Sequence, residues 1–270
     1  MDWLDVKRAD TPLILAFPHG GTAIPDVLRP RFVSGWAATR DADWHIARLY
    51  EKLADATLVA TAISRSVIDV NRDPSGVSLY PGQATTALCP TTDFDGAPLY
   101  RPGAEPDEAE VAERRATWFD PYHAALAAEI ARLRKRHGRV VLYDCHSIRS
   151  RIPRLFDGEL PELNIGTNGG ATCDPALARA VSDACAHSGR SYVLDGRFRG
   201  GWTTRHYGHP QEGIHAIQME ISIRAYAEEP DASPNPDNWP PKWNGTHAAA
   251  LRADLRRIVS TAAEFGKQRA

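Results

Sequence analysis

The sequence predicts an α/β protein with three layers, in which helices cover both faces of a central, mixed and mainly parallel sheet. Short apolar runs alternate along the chain with longer segments of helical periodicity, the order in which strands and crossover helices build such a sheet. Several of these runs also stop abruptly at polar clusters. Ligands of open α/β sheets bind at the carboxyl ends of the strands, so we expect the chemistry there.

Composition is that of an ordinary globular domain. Of the 270 residues, 43% are hydrophobic and 24% are charged. No repeat or composition break marks a second domain, so we expect one domain over residues 1–270. The net charge of -2 gives no electrostatic reason to expect a nucleic acid or a membrane as a partner.

The cysteines and the start of the chain bear on localisation. Four cysteines without a C-x-x-C pair are too few for a disulfide scaffold of this length, so we expect reduced thiols. The acidic first residues lack the apolar run of a signal peptide, and no stretch reaches the ~20 apolar residues of a spanning helix. The sequence therefore predicts a cytoplasmic protein.

The predicted strands are short apolar runs that end at turn or polar residues. The central one, residues 139–147, follows His137-Gly138 and is too short and too β-branched for a helix, which indicates a strand buried on both faces. In chain order the predicted strands are residues 12–17, 57–62, 67–70, 139–147, 163–167, 192–194 and 215–222.

The predicted helices have apolar residues at spacings of three to four. Ile46, Leu49 and Leu53 place a helix soon after residues 41–43. A long helix begins at Pro106-Asp107-Glu108 and runs to about residue 137. The remaining predicted helices are residues 175–186 and 247–265.

Three segments rich in glycine, proline or polar residues are predicted to be loops. They are residues 75–106, 198–208 and 228–244. A loop as long as the first is usually functional or disordered in a compact domain. We therefore interpret residues 75–106 as a rim or lid of the site.

Two histidines stand at matching strand ends. The first strand stops at Pro18-His19-Gly20-Gly21, and the central strand stops at Asp144-Cys145-His146-Ser147. A lone histidine there is usually a hydrogen-bonded core residue, but two indicate a transition-metal site, because imidazole is the commonest protein ligand for these metals. Asp144 is placed to hold a ligand imidazole.

A third ligand is expected near the start of the helix that contains Ile46. The candidates are Asp41, Asp43 and His45. Asp41 also fits the N-cap of that helix, whereas a carboxylate at Asp43 can project toward the crevice from its first turn. His45 could instead be the projecting group.

Two charged residues point to substrate binding and catalysis. Arg72 follows the predicted strand 67–70 and could clamp a carboxylate, although a salt bridge to Asp69 or Asp73 is an alternative. Glu220 lies among apolar residues of the last strand, where a carboxylate is costly unless it is paired, bound to a metal or catalytic.

Together these residues predict a metal-dependent hydrolase. Catalytic zinc keeps three N/O ligands and an open position, lowers the pKa of its water toward ~7 and polarises a carbonyl. Glu220 could then act as the general base. The arginines imply an anionic substrate, so the predicted reaction is hydrolysis of an amide in a small acidic molecule.

Five motifs, in this order, resemble the N-formylglutamate amidohydrolase family over about residues 10–226. They are Pro-His-Gly-Gly from Pro18, Asp-Ala-Asp-Trp-His from Asp41, Val-Ile-Asp-Val-Asn-Arg from Val67, Asp-Cys-His-Ser-Ile-Arg from Asp144, and Gly-Gly-Trp-Thr-Thr-Arg-His-Tyr-Gly from Gly200. That family is similar in plan to zinc carboxypeptidases and aspartoacylases, so the resemblance implies a zinc-carboxypeptidase-like (phosphorylase/hydrolase-like) fold.

The resemblance also implies roles for single residues. His19 and His146 would be metal ligands, Asn71 and Arg72 would hold a substrate carboxylate, and Glu220 would be the base. The related families carry a glutamate three residues after the first histidine. This sequence has Thr22 there, so the third ligand comes from elsewhere. We assign Asp43 to it, with Asp41 and His45 as the alternatives.

The implied reaction converts N-formyl-L-glutamate and water into formate and L-glutamate, a step of histidine breakdown. Such a small acidic N-acyl amino acid has two carboxylates, so a second clamp is expected. Arg149 or Arg205 could supply it, and His206 is a further candidate for substrate binding. The cofactor would be Zn²⁺, although a His/Asp site also accepts cobalt, manganese or iron.

Two other functions are compatible with these residues. A zinc carboxypeptidase or another N-acyl-amino-acid deacylase would activate water with the same groups. A metal-free binding protein for acidic small molecules would instead use His19 and His146 as hydrogen-bonding residues.

Overall fold

In the computed structural model, which describes residues 2–77, 82 and 85–268, a seven-stranded mixed sheet lies between helices. The strands are β1 (Leu4–Lys7), β2 (Leu13–Phe17), β3 (Thr57–Thr61), β4 (Val140–Ile148), β5 (Leu163–Gly166), β6 (Tyr192–Leu194), β7 (Ile214–Ser222), β8 (Ala227–Glu228) and β9 (Lys242–Trp243). The helices are α1 (Ile46–Tyr50), α2 (Glu108–Arg114), α3 (Asp120–His137), α4 (Pro175–His187), α5 (Trp202–Tyr207) and α6 (Gly245–Lys267). No helix of this described part is long and apolar enough to cross a bilayer.

The order of strands in the sheet is β1-β3-β2-β4-β7-β5-β6. Four neighbouring pairs are parallel, namely β2–β3, β2–β4, β4–β7 and β5–β6. The pairs β1–β3 and β5–β7 are antiparallel. Strands β8 and β9 form a separate two-stranded sheet. The predicted class, a mixed and mainly parallel sheet with flanking helices, is confirmed.

Alternation along β2 shows how the layers are built. Leu13 and Leu15 pack into the core that α1, α4 and α6 cover, whereas Ile14 and Ala16 pack into the core under α3. All five residues of β2 are buried, because this central strand is covered on both faces.

One predicted strand is wrong. Residues 67–70 form turns, in which the amides of Val67 and Ile68 donate to the carbonyl of Ser64. The run is apolar because it is buried, and periodicity alone cannot distinguish a short buried run from a strand. Arg72 therefore follows a turn, not a strand.

Other departures concern short elements. The long predicted helix is divided into α2 and α3 by one π-helical turn over Arg115–Phe119. Within the predicted loop 198–208 the chain forms α5, and the predicted loop 228–244 contributes to the β8–β9 pair. Strand β1 was not predicted, because its pairing with β3 is a tertiary contact.

Strand β4 extends beyond the predicted polar cluster. It continues to Ile148, so His146 lies within the strand instead of after it. The pairing with β7 covers all nine residues of β4 and places His146 opposite Glu220. Two candidate site residues are therefore neighbours through the register of one parallel pair.

The predicted rim, residues 75–106, is described in part. Residues 78–81 and 83–84 of it lie outside the described residues. Farther along, Tyr100 stacks on Phe32 with ring centroids 4.5 Å apart, which ties the end of the rim to the body of the protein.

His123 of α3 is a buried histidine away from the strand ends. Its Nε2 lies 2.7 Å from the carbonyl oxygen of Val70, and its Nδ1 lies 3.1 Å from the hydroxyl of Tyr207. Burial lowers the pKa of His123 from 6.5 to about 3. The folded protein therefore keeps this ring neutral.

We expect the free energy of unfolding to fall as the pH drops from 6.5 toward 3, because the unfolded chain then binds a proton that folded His123 excludes. His123→Phe lacks this contribution. The stability advantage of the wild type over the variant should shrink by up to about 1.4 kcal/mol per pH unit in that window. Urea unfolding at several pH values measures this difference, with exposed His247→Phe as the control. An advantage independent of pH would contradict the prediction.

Candidate metal and substrate site

Three buried side chains meet at the carboxyl edge of the sheet. His19 follows β2, Asp43 precedes α1, and His146 lies in β4; one potential ligand atom from each lies within 4.8 Å of the others. Oδ2 of Asp43 is 3.2 Å from Nδ1 of His146 and 3.9 Å from Nδ1 of His19. The two imidazole centroids are 4.8 Å apart.

Backbone contacts hold Asp43 in this position. Its amide donates to the carbonyl of His19 at 3.0 Å, and its Oδ2 accepts from the amide of Ser147 at 3.0 Å. Burial alone raises the pKa of Asp43, but contacts with His146, His19 and Arg65 outweigh burial and leave this pKa below its ordinary value. Asp43 therefore stays ionised beside the two imidazoles.

The two alternatives for the third ligand face elsewhere. Oδ2 of Asp41 accepts from the amide of Phe94 at 2.7 Å. Nε2 of His45 lies 2.9 Å from the carbonyl oxygen of Pro241. Of the three candidates, the structure brings Asp43 alone to the histidines.

The outer nitrogens of both imidazoles have protein partners. Nε2 of His19 lies 2.6 Å from Oδ1 of Asp69, and Nε2 of His146 lies 3.1 Å from Oδ2 of Asp144. The contact expected of Asp144 is present, whereas Asp69 was considered in the sequence only as a partner of Arg72. Carboxylates in this position orient metal-bound imidazoles and raise their basicity.

The inner atoms fit a divalent cation. Nδ1 of His19 is buried without a hydrogen-bond partner, although buried polar atoms are almost always paired. It faces the same space as the Asp43 carboxylate and Nδ1 of His146. Two imidazole nitrogens and one carboxylate are a donor set that suits zinc and similar metals.

Arg65 is a site residue that the sequence analysis missed. Its Nη2 donates to Oδ2 of Asp69 at 2.8 Å, and its Nη1 lies 3.5 Å from Oδ1 of Asp43. Arg65 is 8% exposed, and its guanidinium carbon lies 4.9 Å from the ring centroid of Phe94. Its positive charge offsets two buried carboxylates. Arg65 lies outside the five motifs, so the sequence gave no indication of this role.

Glu220 lies beside the cluster on β7. Burial, with 7% of the residue exposed, is the main reason that the pKa of Glu220 is raised to about 8. The positive charge of His146 opposes this shift, and the negative charge of Asp43 adds to it. Nε2 of Gln218 is 3.3 Å from Oε2 of Glu220, and Oε1 of Gln218 accepts from the Gly201 amide at 2.7 Å.

A pocket joins these groups to solvent. It encloses about 600 Å³, including solvent at its mouth. Its walls combine the candidate metal and catalytic side chains with three arginines and an apolar surface. The lining residues are His19, Arg65, Asn71, Arg72, Thr85, Thr86, Phe94, His146, Ile148, Leu155, Arg197, Phe198, Gly201, Gln218 and Glu220.

Asn71 and Arg72 both reach this pocket. Nδ2 of Asn71 lies 3.0 Å from Nε2 of His146, and its Oδ1 accepts from the amide of Thr203 at 2.8 Å. Nε of Arg72 is 3.3 Å from Oδ2 of Asp69, so Arg72 forms the salt bridge considered as an alternative and also lines the pocket. Their roles in binding substrate stay predictions.

Three predicted substrate residues are absent from the pocket's described lining. Nη2 of Arg149 donates to Oδ2 of Asp95 at 3.0 Å, and Nε of Arg205 donates to the carbonyl of Gly200 at 2.8 Å. The ring of His206 stacks on Trp202 with centroids 4.0 Å apart. Arg197, which the sequence analysis did not single out, lines the pocket instead.

The fold and the site define a class. A mainly parallel sheet carries at its carboxyl edge a buried His–Asp–His cluster, whose donor atoms suit a divalent metal ion, and a neighbouring buried glutamate. This is the arrangement of an α/β enzyme whose site lies at the carboxyl ends of the strands.

A family model described as N-formylglutamate amidohydrolase matches residues 11–227. The chain belongs to this family. It is 43% identical to the N-formylglutamate deformylase of Pseudomonas aeruginosa over 98% of each chain. It is 45% identical to that of Pseudomonas putida, over 84% of this chain and 85% of the relative.

A solved structure has the same fold. The N-formylglutamate amidohydrolase of Ralstonia eutropha JMP134 superposes with a TM-score of 0.79 over 98% of each chain, at 23% identity.

Removal of a ligand side chain tests the metal site. We expect His146→Ala and Asp43→Ala to lose bound metal while remaining folded, because each removes one of three donors. His45→Ala and Asp41→Ala should retain it, since their side chains face elsewhere. Elemental analysis after metal loading, with circular dichroism as the folding check, measures both. Full metal content in His146→Ala would exclude that residue as a ligand.

Proposed function

We propose that this protein hydrolyses the formyl amide of N-formyl-L-glutamate to formate and L-glutamate, with a divalent metal ion bound by His19, Asp43 and His146. Residues 1–270 would act as one domain. The observation that carries the proposal is that one pocket of a member of this family is lined by both histidines of the His–Asp–His cluster, a buried glutamate and arginines. A dicarboxylate substrate suits such a pocket because arginine binds carboxylates with charge-assisted hydrogen bonds.

Zinc is the metal that we propose, and cobalt, manganese or iron would also suit these ligands. Bound there, zinc would supply a Lewis acid that acidifies a water and polarises the formyl carbonyl. The protein's part is to orient the donors. Asp69 and Asp144 hold the outer nitrogens of the two imidazoles, and so fix which nitrogen of each ring faces the metal position.

Glu220 is the proposed general base. It removes a proton from the attacking water, whose oxygen bonds to the formyl carbon, and then delivers that proton to the amide nitrogen as the C–N bond breaks. The raised pKa makes Glu220 a stronger base than an ordinary carboxylate, and a cation at the cluster would favour the carboxylate form that starts the reaction. Gln218 donates to one carboxylate oxygen and thereby orients the side chain.

Arg72 is the proposed clamp for the α-carboxylate, with Asn71 beside it. Arg72 borders the pocket and is tied through Asp69 to His19. The α-carboxylate is bonded to the carbon that bears the scissile nitrogen, so it must lie close to the metal position. Arg72 meets this requirement with 20% of its side chain exposed, whereas the side chain of Arg65 is buried between Asp43 and Asp69.

Formate release together with elemental analysis tests the proposed function. The wild type loaded with zinc should release formate from N-formyl-L-glutamate and lose activity when a chelator removes the metal. N-acetyl-L-glutamate and a peptide with a C-terminal glutamate test the other deacylase and carboxypeptidase activities. A protein that binds formylglutamate but contains no metal and releases no formate would be a binding protein.

Glu220→Gln keeps the size of the side chain but cannot accept a proton. We expect turnover to fall by about a hundredfold or more, the usual scale of general acid–base catalysis, with metal content unchanged. Stopped assays of formate measure the rate, and elemental analysis provides the control. Near-normal turnover in this variant would show that another group activates the water.

Substitutions of Arg72 test the α-carboxylate clamp. Lysine keeps the charge but not the planar fork, so Arg72→Lys should lower kcat/KM for formylglutamate, and Arg72→Ala should lower it further, by about tenfold to a hundredfold. The loss should shrink for N-formyl-γ-aminobutyrate, which lacks the α-carboxylate. Equal losses with both substrates would instead assign Arg72 a structural role. Metal content is the control.

A further inference from the structure

We propose that Arg197 binds the side-chain carboxylate of the substrate and thereby selects N-acyl amino acids that are dicarboxylates. This inference rests on the proposed function and deepens it. It replaces Arg149 and Arg205, the residues that the sequence suggested for the second clamp, because neither is among the described residues that line the pocket.

Three arginines are distributed along the walls of the pocket. Of the described lining residues, Arg65, Arg72 and Arg197 carry a permanent positive charge. Nη2 of Arg65 lies 2.8 Å from Asp69 and Nη1 lies 3.5 Å from Asp43, so its positive charge offsets these two buried carboxylates. Arg65 is also buried, whereas Arg72, with 20% of its side chain exposed, and the half-buried Arg197 are more accessible from the pocket. The two carboxylates of the substrate are therefore assigned to Arg72 and Arg197.

The chemistry of the substrate decides which arginine binds which carboxylate. Arg72 lies 3.3 Å from Asp69, which in turn contacts His19 at 2.6 Å, so this arginine is close to the reacting bond. The α-carboxylate is bonded to the carbon that carries the scissile nitrogen, so we assign it to Arg72. The side-chain carboxylate is two methylene groups farther away and requires a cation elsewhere on the wall, which is Arg197.

The surroundings of Arg197 suit this role. Its Nε donates to the carbonyl of Leu155 at 2.7 Å, and its guanidinium carbon lies 5.3 Å from the ring centroid of Phe198. These contacts restrain the guanidinium of a residue that lines the pocket, and a restrained planar fork binds a carboxylate with geometric selectivity. Leu155 and Phe198 also line the pocket and offer apolar surface to the two methylene groups.

The segment that carries Arg197 is anchored on both sides of that residue. Asp195 accepts from the amide of Thr167 at 2.7 Å and also hydrogen-bonds its hydroxyl. The amide of Gly201 donates to Gln218, which contacts Glu220. These hydrogen bonds fix the segment of Arg197 relative to the proposed base Glu220. A fixed separation between the two residues is required if Arg197 is to select substrates by length.

Crossed substrates and variants test the inference. N-formyl-L-glutamate has both carboxylates, N-formyl-L-glutamine has only the α-carboxylate, and N-formyl-γ-aminobutyrate has only the distal one. Arg197→Gln should lower kcat/KM for formylglutamate and formyl-γ-aminobutyrate by about tenfold to a hundredfold, and should leave that for formylglutamine nearly unchanged. Arg197→Lys should recover part of the loss.

Two controls accompany these measurements. Arg199→Gln removes the same charge from the same segment at an exposed side chain outside the described lining, and should retain the wild-type preference for glutamate over glutamine. The activity of Arg197→Gln on formylglutamine shows that the variant is folded and holds its metal.

The outcomes separate the inference from the function on which it rests. A loss of formylglutamate preference confined to Arg197 variants supports the inference. If the wild type releases formate from formylglutamate but Arg197→Gln retains the preference, or loses all three activities equally, the inference is wrong and the proposed function stands. If the zinc-loaded wild type releases no formate from formylglutamate, the proposed function itself is wrong.

Discussion

The parallel pairing of β4 with β7 is the constraint on which the rest of the site depends. It sets His146 opposite Glu220 and Asp144 opposite Gln218, so that a candidate ligand and a candidate base share one face of the sheet. A shift of one residue would turn every side chain of the moved strand to the other face. Burial of all β4 side chains, and of all but the first in β7, makes that shift costly.

Charge balance is the second requirement, because strands and loops bring acidic groups together in a buried region. Asp43, Asp69, Asp144 and Glu220 are all buried there. Uncompensated buried charges cost several kcal/mol each, so they need partners. Arg65 offsets Asp43 and Asp69, and the imidazoles contact three of the four carboxylates. A divalent cation at the His–Asp–His cluster would offset negative charge that the arginine leaves.

Asn71 connects this buried centre to the walls of the pocket. Its side chain contacts His146 and receives the amide of Thr203 at the start of α5. Gly201 must lack a side chain, since a Cβ there would lie 2.4 Å from Nδ2 of Asn71. The glycine-rich motif before α5 is therefore explained by the close approach of this asparagine.

The sequence by itself determined the α/β class, most of the strands and helices, and the candidate residues His19, His146, Asn71, Arg72 and Glu220, which all line one pocket. It also limited the third metal ligand to Asp41, Asp43 or His45. These residues could be found because each follows or interrupts a regular apolar pattern. Only the tertiary structure decided that Asp41 and His45 face away, that Arg65 and Asp69 complete the centre, and that Arg197 borders the pocket while Arg149 and Arg205 do not. The physical reason is that these roles depend on contacts between distant segments, which local periodicity does not encode.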